Sequence, residues 1–186
     1  MESKKDTTKN LLAESFKELM LYTSFKNITI KMITDKSKVI RPTFYHHFKD
    51  KYEVIEYLID EDIMKNAHGL IDTDMEFEAI KMVFIRLEKN KEFIKKAFKI
   101  EGQNSFKEIL YEKIYSMFMK IINKHGLKEH AYSNILNKEN IALYYANGLT
   151  ASIQLWIDKG CEYSATEMFE AYVYIISKSI IDIINK

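Results

Sequence analysis

The amino-acid sequence predicts an all-α protein in which a small N-terminal head is joined to a larger helical body. Its 186 residues include one proline and five glycines, which favours long uninterrupted helices over β folds with many turns. Apolar side chains recur at helical spacing along most of the chain. The apolar content of 47% and the charged content of 30% are typical of a folded chain with a sizeable core.

The first helix is predicted over residues 6–23, where the apolar positions keep helical spacing and the charged positions face water. Its predicted core residues are Leu12, Phe16, Leu19 and Met20. Phe25, just beyond this helix, is expected to complete the core of the head.

Residues 28–51 predict two short helices around a tight turn. Thr29 can cap the first of them, because its hydroxyl can accept the unpaired amide hydrogens one turn later. The turn is expected at residues 37–39. The second helix is expected to begin near Arg41 with Pro42 in its first turn, where a missing N–H has no cost.

The second short helix has an apolar face and a polar face. Phe44 and Phe48 are four positions apart and therefore lie on the same side, facing the core. The remaining positions present the side chains of Arg41, Thr43, Tyr45, His46 and His47. Such a helix can meet phosphates and base edges with its polar front. From the spacing alone, an ordinary amphipathic helix explains the pattern equally well.

Two strings carry a family resemblance. Thr-Ile-Lys-Met-Ile at residues 29–33 and Thr-Phe-Tyr-His-His-Phe-Lys-Asp-Lys at residues 43–51 resemble the helix-turn-helix of the TetR family of transcriptional regulators. The resemblance implies a three-helix DNA-binding head over residues 1–51. It also implies a helical ligand-binding and dimerisation body over residues 52–186.

The turn departs from the family pattern in three ways. The Ala-Gly pair that lets the two helices approach closely in the family is here Ser37-Lys38. Lys38 stands where the family usually has glycine, so the backbone there must adopt a left-handed or adjusted conformation at some cost. Ile40 replaces the usual serine cap, so the first amides of the second helix are expected to lack a side-chain partner.

The DNA-binding candidates follow from the outward face and from the resemblance. Those expected at the phosphates are Thr29, Tyr45, His47 and Lys51. Those expected near the bases are Lys31, Arg41, Thr43 and His46, and Pro42 shares the outward face of the second helix with Thr43 and His46. Of these, Arg41 is the best candidate for a bidentate guanine contact.

The charge distribution agrees with a DNA-binding head. Residues 1–51 carry 11 Lys and Arg against 6 Asp and Glu, whereas the rest carry 17 against 21. A basic head on a mildly acidic body suits a module whose head meets a polyanion. The lysines near the N-terminus either touch the DNA backbone or form a solvated tail: Lys4, Lys5 and Lys9.

Asp50 is expected to cap a fourth helix from Lys51 to about His68. This helix joins head to body, so a change in its tilt would move the recognition helix. Further helices are predicted over residues 75–89, 91–101, 104–124, 138–159 and 165–185. The segment Gly-Gln-Asn-Ser-Phe-Lys-Glu-Ile-Leu-Tyr-Glu at residues 102–112, with the later Tyr-x-x-Gly-Leu and Trp-Ile-x-x-Gly spacings, resembles the branch of the family that regulates dihydroxyacetone kinase.

The last two predicted helices are apolar on more than one face, so they need a second surface to cover them. The resemblance implies that they form a four-helix bundle with a second copy. The expected dimer contacts are Tyr145, Gly148, Leu149, Ser152, Tyr172, Ile176 and Ile180. The alternative is that these residues pack within one chain.

Aromatic residues of the body are the candidates for lining an effector cavity. They are Phe84, Phe106, Tyr111, Tyr115, Phe118, Tyr144 and Trp156. Plain core packing is the alternative for each of them. Arg86 is expected to form a surface ion pair with a nearby glutamate, or else to meet an anionic ligand.

The sequence offers no phosphate loop, no paired cysteines and no His-Glu-x-x-His motif, so we expect neither an enzyme nor a cofactor or metal site. The single cysteine, Cys161, excludes an intrachain disulfide. It is expected to be a structural thiol, with a redox sensor as the alternative. His125 and His130 are expected at the surface. No signal peptide or membrane span is predicted, which indicates a cytoplasmic protein.

Taken together, the sequence predicts a homodimeric, ligand-responsive repressor that binds a palindromic operator. An activator that works with a protein co-activator is the first alternative, and a small helical enzyme is the second. The effector, the operator sequence and the regulated genes are not encoded in any recognisable motif.

Overall fold

A computed structural model describes residues 4–128 and 135–184, with side chains from Thr7 onward; His130 and the side chains of Lys4 and Lys5 lie outside the described part. Within these ranges the chain forms eleven α-helices and no strand, which confirms the predicted all-α fold. None of the described helices is long and apolar enough to cross a membrane.

The head consists of α1 (Lys4–Tyr22), α2 (Ile30–Ser37) and α3 (Arg41–His47), with a short 3-10 turn at Phe25–Asn27. The side chains that fill its core are almost fully buried: Leu12, Phe16, Met20, Phe25, Ile28, Ile33, Phe44 and Phe48. The predicted packing of the two α3 phenylalanines is therefore confirmed, because both face α1 and α2 from one side of a short helix.

The turn between α2 and α3 has the predicted irregularities. Thr29 caps α2 by accepting a hydrogen bond from the Met32 amide at 3.2 Å. Lys38 is left-handed, with φ 55° and ψ 37°, at the position where the family usually has glycine. Ile40 precedes α3 without offering its amides a side-chain cap.

The helix that joins head to body is shorter than predicted. α4 (Lys51–Leu58) passes into a π-helical segment at Ile59–Met64, and α5 (Ala67–Asp72) follows a left-handed residue, Asn66. The prediction of one helix to about His68 is wrong, because the regular α-helix ends at Leu58. The wider π-helical turn that follows buries Ile59, Ile63 and Met64 together.

The acidic run inside the π-helical segment is matched by lysines from three places. Asp62 meets Lys17 of α1 at 2.5 Å, and Glu61 meets Lys65 at 2.7 Å. Asp60 meets Lys113 from the body at 2.9 Å. This segment therefore ties the head to the body electrostatically as well as by packing.

The body begins with α6 (Glu76–Lys89), α7 (Lys91–Ala97) and α8 (Phe106–His125). It ends with α9 (Lys138–Asp158), α10 (Ala165–Ser177) and the short α11 (Ile180–Ile183). α8 packs along α9, α10 packs on α6, and α7 touches α1 of the head.

The last predicted helix is interrupted near the end of the chain. Lys178 is extended, and Asp182 accepts hydrogen bonds from the Ser179 amide and hydroxyl at 3.1 and 2.8 Å. This Ser-x-x-Asp capping pair starts α11 as a separate turn, which the predicted single helix over residues 165–185 missed.

Candidate nucleic-acid interface

The outward face of α2 and α3 presents most of the predicted DNA-binding side chains. The side chains of Thr29, Lys31, Arg41, Pro42, Tyr45 and His46 are exposed. Thr43 and His47 are half-buried at the edge of the same face. A rigid helix pair packed on one core thus holds a polar surface facing solvent, as a major-groove reader requires.

Arg41 and Tyr45 form a pair on the exposed side of α3. One guanidinium nitrogen of Arg41 donates to the Tyr45 hydroxyl at 3.0 Å, and the guanidinium lies 5.5 Å from the ring centre. The two residues are one helical turn apart, so their side chains are neighbours on the exposed face of α3.

Lys31 is engaged differently. Its ammonium lies 2.5 Å from the Asp35 carboxylate one turn along α2. Both side chains are exposed, and such surface pairs are weak. The lysine can therefore exchange this partner for a phosphate or a base edge at little cost.

Lys51 serves the head internally. Its ammonium donates to the main-chain carbonyls of Phe25, Lys26 and Ile28 at 2.6, 3.4 and 3.0 Å. It also lies 4.2 Å from the centre of the Phe25 ring. Burial lowers the pKa of this lysine below its ordinary value. The predicted phosphate contact through its side chain thus competes with three internal acceptors.

Asp50 orders the start of α4 next to this lysine. Its carboxylate accepts hydrogen bonds from the Tyr52 and Glu53 amides at 2.8 and 3.0 Å, as predicted. Lys9 of α1 is turned toward the head, since its ammonium lies 4.4 Å from the Tyr57 ring centre and 5.2 Å from that of Phe48.

Two exposed residues beside this face were not among the DNA-binding candidates predicted from the sequence. Lys38 and Ile40 are exposed in the turn between α2 and α3, and the isoleucine is 70% accessible. An apolar side chain left open beside a recognition helix is suited to contact a thymine methyl group. Their position in the predicted turn between the two helices was the feature of the sequence that could have indicated their exposure.

The predicted cavity residues lie in three different environments. Phe84, Phe106, Phe118 and Trp156 are buried. Phe84 packs edge-on against Trp156 with ring centres 5.9 Å apart, and Phe106 lies 5.2 Å from Phe98. Such contacts are those of an ordinary aromatic core.

The three tyrosines of that prediction are more open. Tyr111 and Tyr115 are half-buried, and Tyr111 lines a cleft of about 710 Å³ together with Asn147 and Thr150. Tyr144 is 73% exposed on the outside of α9, so it does not line an interior cavity of the single chain.

The predicted dimer residues are likewise divided. Gly148 and Ile180 are exposed, and Tyr145, Ser152 and Ile176 are half-buried. Leu149 and Tyr172 are buried inside the single chain, so they have no surface left for a second copy to cover. The outward positions of these helices are instead Tyr144, Leu155, Tyr174 and Ile175.

Among the described residues, Arg86 forms no ion pair with a glutamate side chain. It donates to the main-chain carbonyl of Glu61 at 3.1 Å. This carbonyl belongs to the π-helical segment, where the regular helical acceptor pattern is interrupted. The predicted ion pair is therefore replaced by a structural hydrogen bond.

One cluster in the described residues has the chemistry of a metal site. Ligand atoms of Asp74, Glu76 and His125 lie within 4.8 Å of one another. However, the Lys124 ammonium lies 2.6 Å from Asp74 and 3.6 Å from Glu76, and His125 lies 2.6 Å from Glu76. A side-chain cation already neutralises these carboxylates, so the cluster acts as an ion-pair network joining α6 to α8.

Cys161 has the character of a structural thiol. It is half-buried in the loop between α9 and α10, and burial raises the pKa of its thiol. A thiol with a raised pKa holds little thiolate near neutral pH and reacts slowly.

A helix-turn-helix head with a polar recognition face, carried on an all-helical body, defines a class of DNA-binding transcriptional regulators. Within that class, residues 74–178 match the TetR-type family described as the transcriptional regulator C-terminal region. The match covers more than half of the chain, and the protein belongs to the TetR family of transcriptional regulators.

The protein is similar to a curated relative, the HTH-type dhaKLM operon transcriptional activator DhaS of Lactococcus lactis subsp. lactis. The two are 23% identical over 153 residues, which is 82% of this chain and 81% of the relative. The segment of this chain that resembles dihydroxyacetone-kinase regulators, at residues 102–112, lies in the helical body.

Solved structures show the same fold. The dihydroxyacetone kinase operon activator DhaS superposes with a TM-score of 0.65 at 21% identity, covering 96% of this chain and 98% of the other. NalD, the secondary repressor of the MexAB-OprM multidrug efflux pump in Pseudomonas aeruginosa, gives 0.62 at 12% identity, covering 91% and 94%.

Proposed function

We propose that the protein is a homodimeric, ligand-responsive repressor that binds a palindromic operator. The observation that carries the proposal is the Arg41–Tyr45 pair on the exposed face of α3, in which the guanidinium donates to the tyrosine hydroxyl at 3.0 Å. The pair places a guanidinium on the outward face of the helix, and a bidentate arginine contact is the commonest specific reading of guanine.

The other contacts divide by chemistry. Thr29, Tyr45 and His47 would hold phosphates and set the register of the head on the duplex. Lys31, Thr43 and His46 would reach the bases beside Arg41. Lys51 would act mainly through the loop that it holds, because its ammonium already has three carbonyl acceptors.

Dimerisation is supported by the outer face of α9 and α10. Exposed large apolar side chains there include Tyr144, Leu155, Tyr174 and Ile175. A Cβ added to Gly148 on the same face would meet nothing within 4 Å in the single chain, so a second helix can approach closely there. A two-fold dimer would place two copies of α3 on successive major grooves.

A small-molecule effector would act by changing the spacing of the two heads. Such a ligand can shift the equilibrium only by its difference in affinity for the two arrangements. Since the proposed partner is genomic DNA, the cytoplasm is the compartment in which we expect it to act.

The experiment is fluorescence anisotropy with the DNA upstream of the protein's own gene, at two salt concentrations and against random competitor DNA. We expect tight, competitor-resistant binding that is lost in Thr43→Ala/Tyr45→Ala. Weak binding that disappears with salt, and is identical in that variant, would contradict a specific operator at this position.

Two single variants test the reading of bases. Arg41→Ala should relax the preference at one base pair by about 1–3 kcal/mol in a binding-site selection. Tyr45→Phe, which keeps the ring and removes only the hydroxyl, should weaken the same preference less. An unchanged site preference in Arg41→Ala would refute the base-reading role.

A second candidate is a transcriptional activator that works with a protein co-activator. It is favoured by the similarity to DhaS, which is named as an activator of the dhaKLM operon. The similarity in fold to NalD, named as a repressor, favours the first candidate. Deleting the gene separates the two, because target transcription rises if the protein represses and falls if it activates.

A further inference from the structure

We propose that the cleft between the head and the body is a binding site for a small anionic ligand with an aromatic or apolar part. The cleft has a volume of about 620 Å³ and opens between the end of α1, the loop before α2 and the end of α7. This size falls within the range of small-molecule sites in proteins.

The walls of the cleft are partly apolar. Met20 and Phe25 line it from the head, Tyr52 lines it from the start of α4, and Ile100 lines it from the body. Phe25 and Tyr52 stack edge to face with ring centres 4.9 Å apart, which holds the aromatic wall in place. A flat apolar group of a ligand can pack against this wall.

The charge of the cleft is strongly positive. Four lysines line it against one acid, Glu101. Lys51 uses its ammonium within the head, whereas Lys26, Lys96 and Lys99 make no ion pair or hydrogen bond with their ammonium groups in the described part of the chain. Elsewhere lysines are matched, as Lys17 is with Asp62. Unmatched cations around an apolar wall favour an organic anion such as a carboxylate, sulfonate or phosphate ester.

The position of the cleft gives the ligand a role. Lys26 belongs to the head, whereas Lys96 and Lys99 belong to the body, so an anion between them would be held from both sides. Binding would therefore favour one orientation of the head relative to α7. This regulatory part rests on the proposed function, whereas the binding itself does not.

The test uses the full chain without DNA and an aromatic sulfonate probe, anilinonaphthalene sulfonate. Its uncharged relative phenylnaphthylamine is titrated in parallel, and both are followed by fluorescence. We expect the sulfonate to bind more tightly than the uncharged probe. In Lys96→Gln/Lys99→Gln its dissociation constant should rise about tenfold, because two near-surface charges are removed.

The matched control is Lys89→Gln/Lys91→Gln, which removes the same charge from exposed positions at the neighbouring corner of α6 and α7. Its affinity for the sulfonate should equal that of the unaltered protein. Equal affinities in all three proteins, or equal affinities for the charged and uncharged probes, would overturn the site.

Two further readouts separate the inference from the proposed function. If Lys96→Gln/Lys99→Gln lowers only the salt dependence of DNA binding and leaves the probe affinity unchanged, these lysines face DNA and the ligand site is wrong. A saturating amount of probe should change operator affinity at least about fivefold, a typical coupling between sites, and only when both lysines are present. Unchanged operator affinity would overturn the regulatory part alone.

Discussion

Lys38 has a left-handed backbone conformation that its side chain disfavours. Its left-handed backbone at φ 55° costs an L residue about 1–2 kcal/mol, whereas glycine adopts it freely. We expect Lys38→Gly to raise the free energy of unfolding by about 1 kcal/mol, after the greater freedom of glycine in the unfolded chain is subtracted. Urea denaturation followed by circular dichroism measures the change.

Lys38→Ala is the matched control for that substitution. It also removes the ammonium group but keeps a Cβ, so the backbone cost remains and no comparable gain is expected. A stabilisation of the same size in both variants would show that the charge, and not the left-handed backbone, is responsible.

Lys51 supports a second prediction at the same scale. Lys51→Met keeps the apolar stem and removes the ammonium group that donates hydrogen bonds to three main-chain carbonyls. We therefore expect the free energy of unfolding to fall by about 1–2 kcal/mol. The salt dependence of DNA binding should stay the same. A salt slope smaller by about 1 would instead identify Lys51 as a phosphate contact.

At the scale of elements, the corner between α5 and α6 is fastened to the end of α8. Lys124 lowers the pKa of Asp74, and His125 lowers the pKa of Glu76, each mainly through a hydrogen bond. A carboxylate with a lowered pKa adds stability above its ordinary pKa, and this stability is lost as the pH falls through the value in the folded protein. The loss therefore occurs below the ordinary values of 3.8 and 4.5.

We therefore expect Asp74→Asn/Glu76→Gln to melt at a lower temperature than the unaltered protein at pH 6. The difference should shrink as the pH is lowered from about 5 to about 3. Glu78→Gln, an exposed change in the same turn of α6, should leave the pH profile unaltered. If the difference in melting temperature between the double variant and the unaltered protein stays the same across this pH range, the network is not stabilising.

The whole molecule presents an apolar face on α9 and α10 that a single chain leaves open. Tyr174 and Ile175 are 51% and 59% exposed on adjacent positions of α10. We expect Tyr174→Glu/Ile175→Glu to raise the dimer dissociation constant by at least about 100-fold, since burying unpaired carboxylates costs several kcal/mol. Sedimentation equilibrium measures the constant.

The control is Thr166→Glu, which adds a charge in the first turn of α10, away from the exposed apolar face. It should leave the dimer intact. A double variant that keeps both its helical content and its association would place the dimer surface elsewhere.

The all-α fold, the short helices α2 and α3, and the caps of α2 and α4 could be predicted from the sequence, because they depend on neighbours within one or two turns. Thr29, Phe44, Phe48 and Asp50 act at that range, through capping and helical periodicity. The left-handed turn at Lys38 was predictable from the family resemblance, because this residue stands where the family usually has glycine.

Contacts between distant segments decided the rest. The π-helical segment after Leu58 packs its apolar residues into the core and meets lysines of other helices, contacts that no local pattern records. Lys51 meets carbonyls more than twenty positions away, so its internal role was invisible in the sequence. Tyr144 and Leu149 have similar local patterns, yet one faces outward and the other is buried. The helical periodicity of apolar residues gives the direction of a side chain around the helix axis. Only the tertiary structure determines which neighbour lies in that direction.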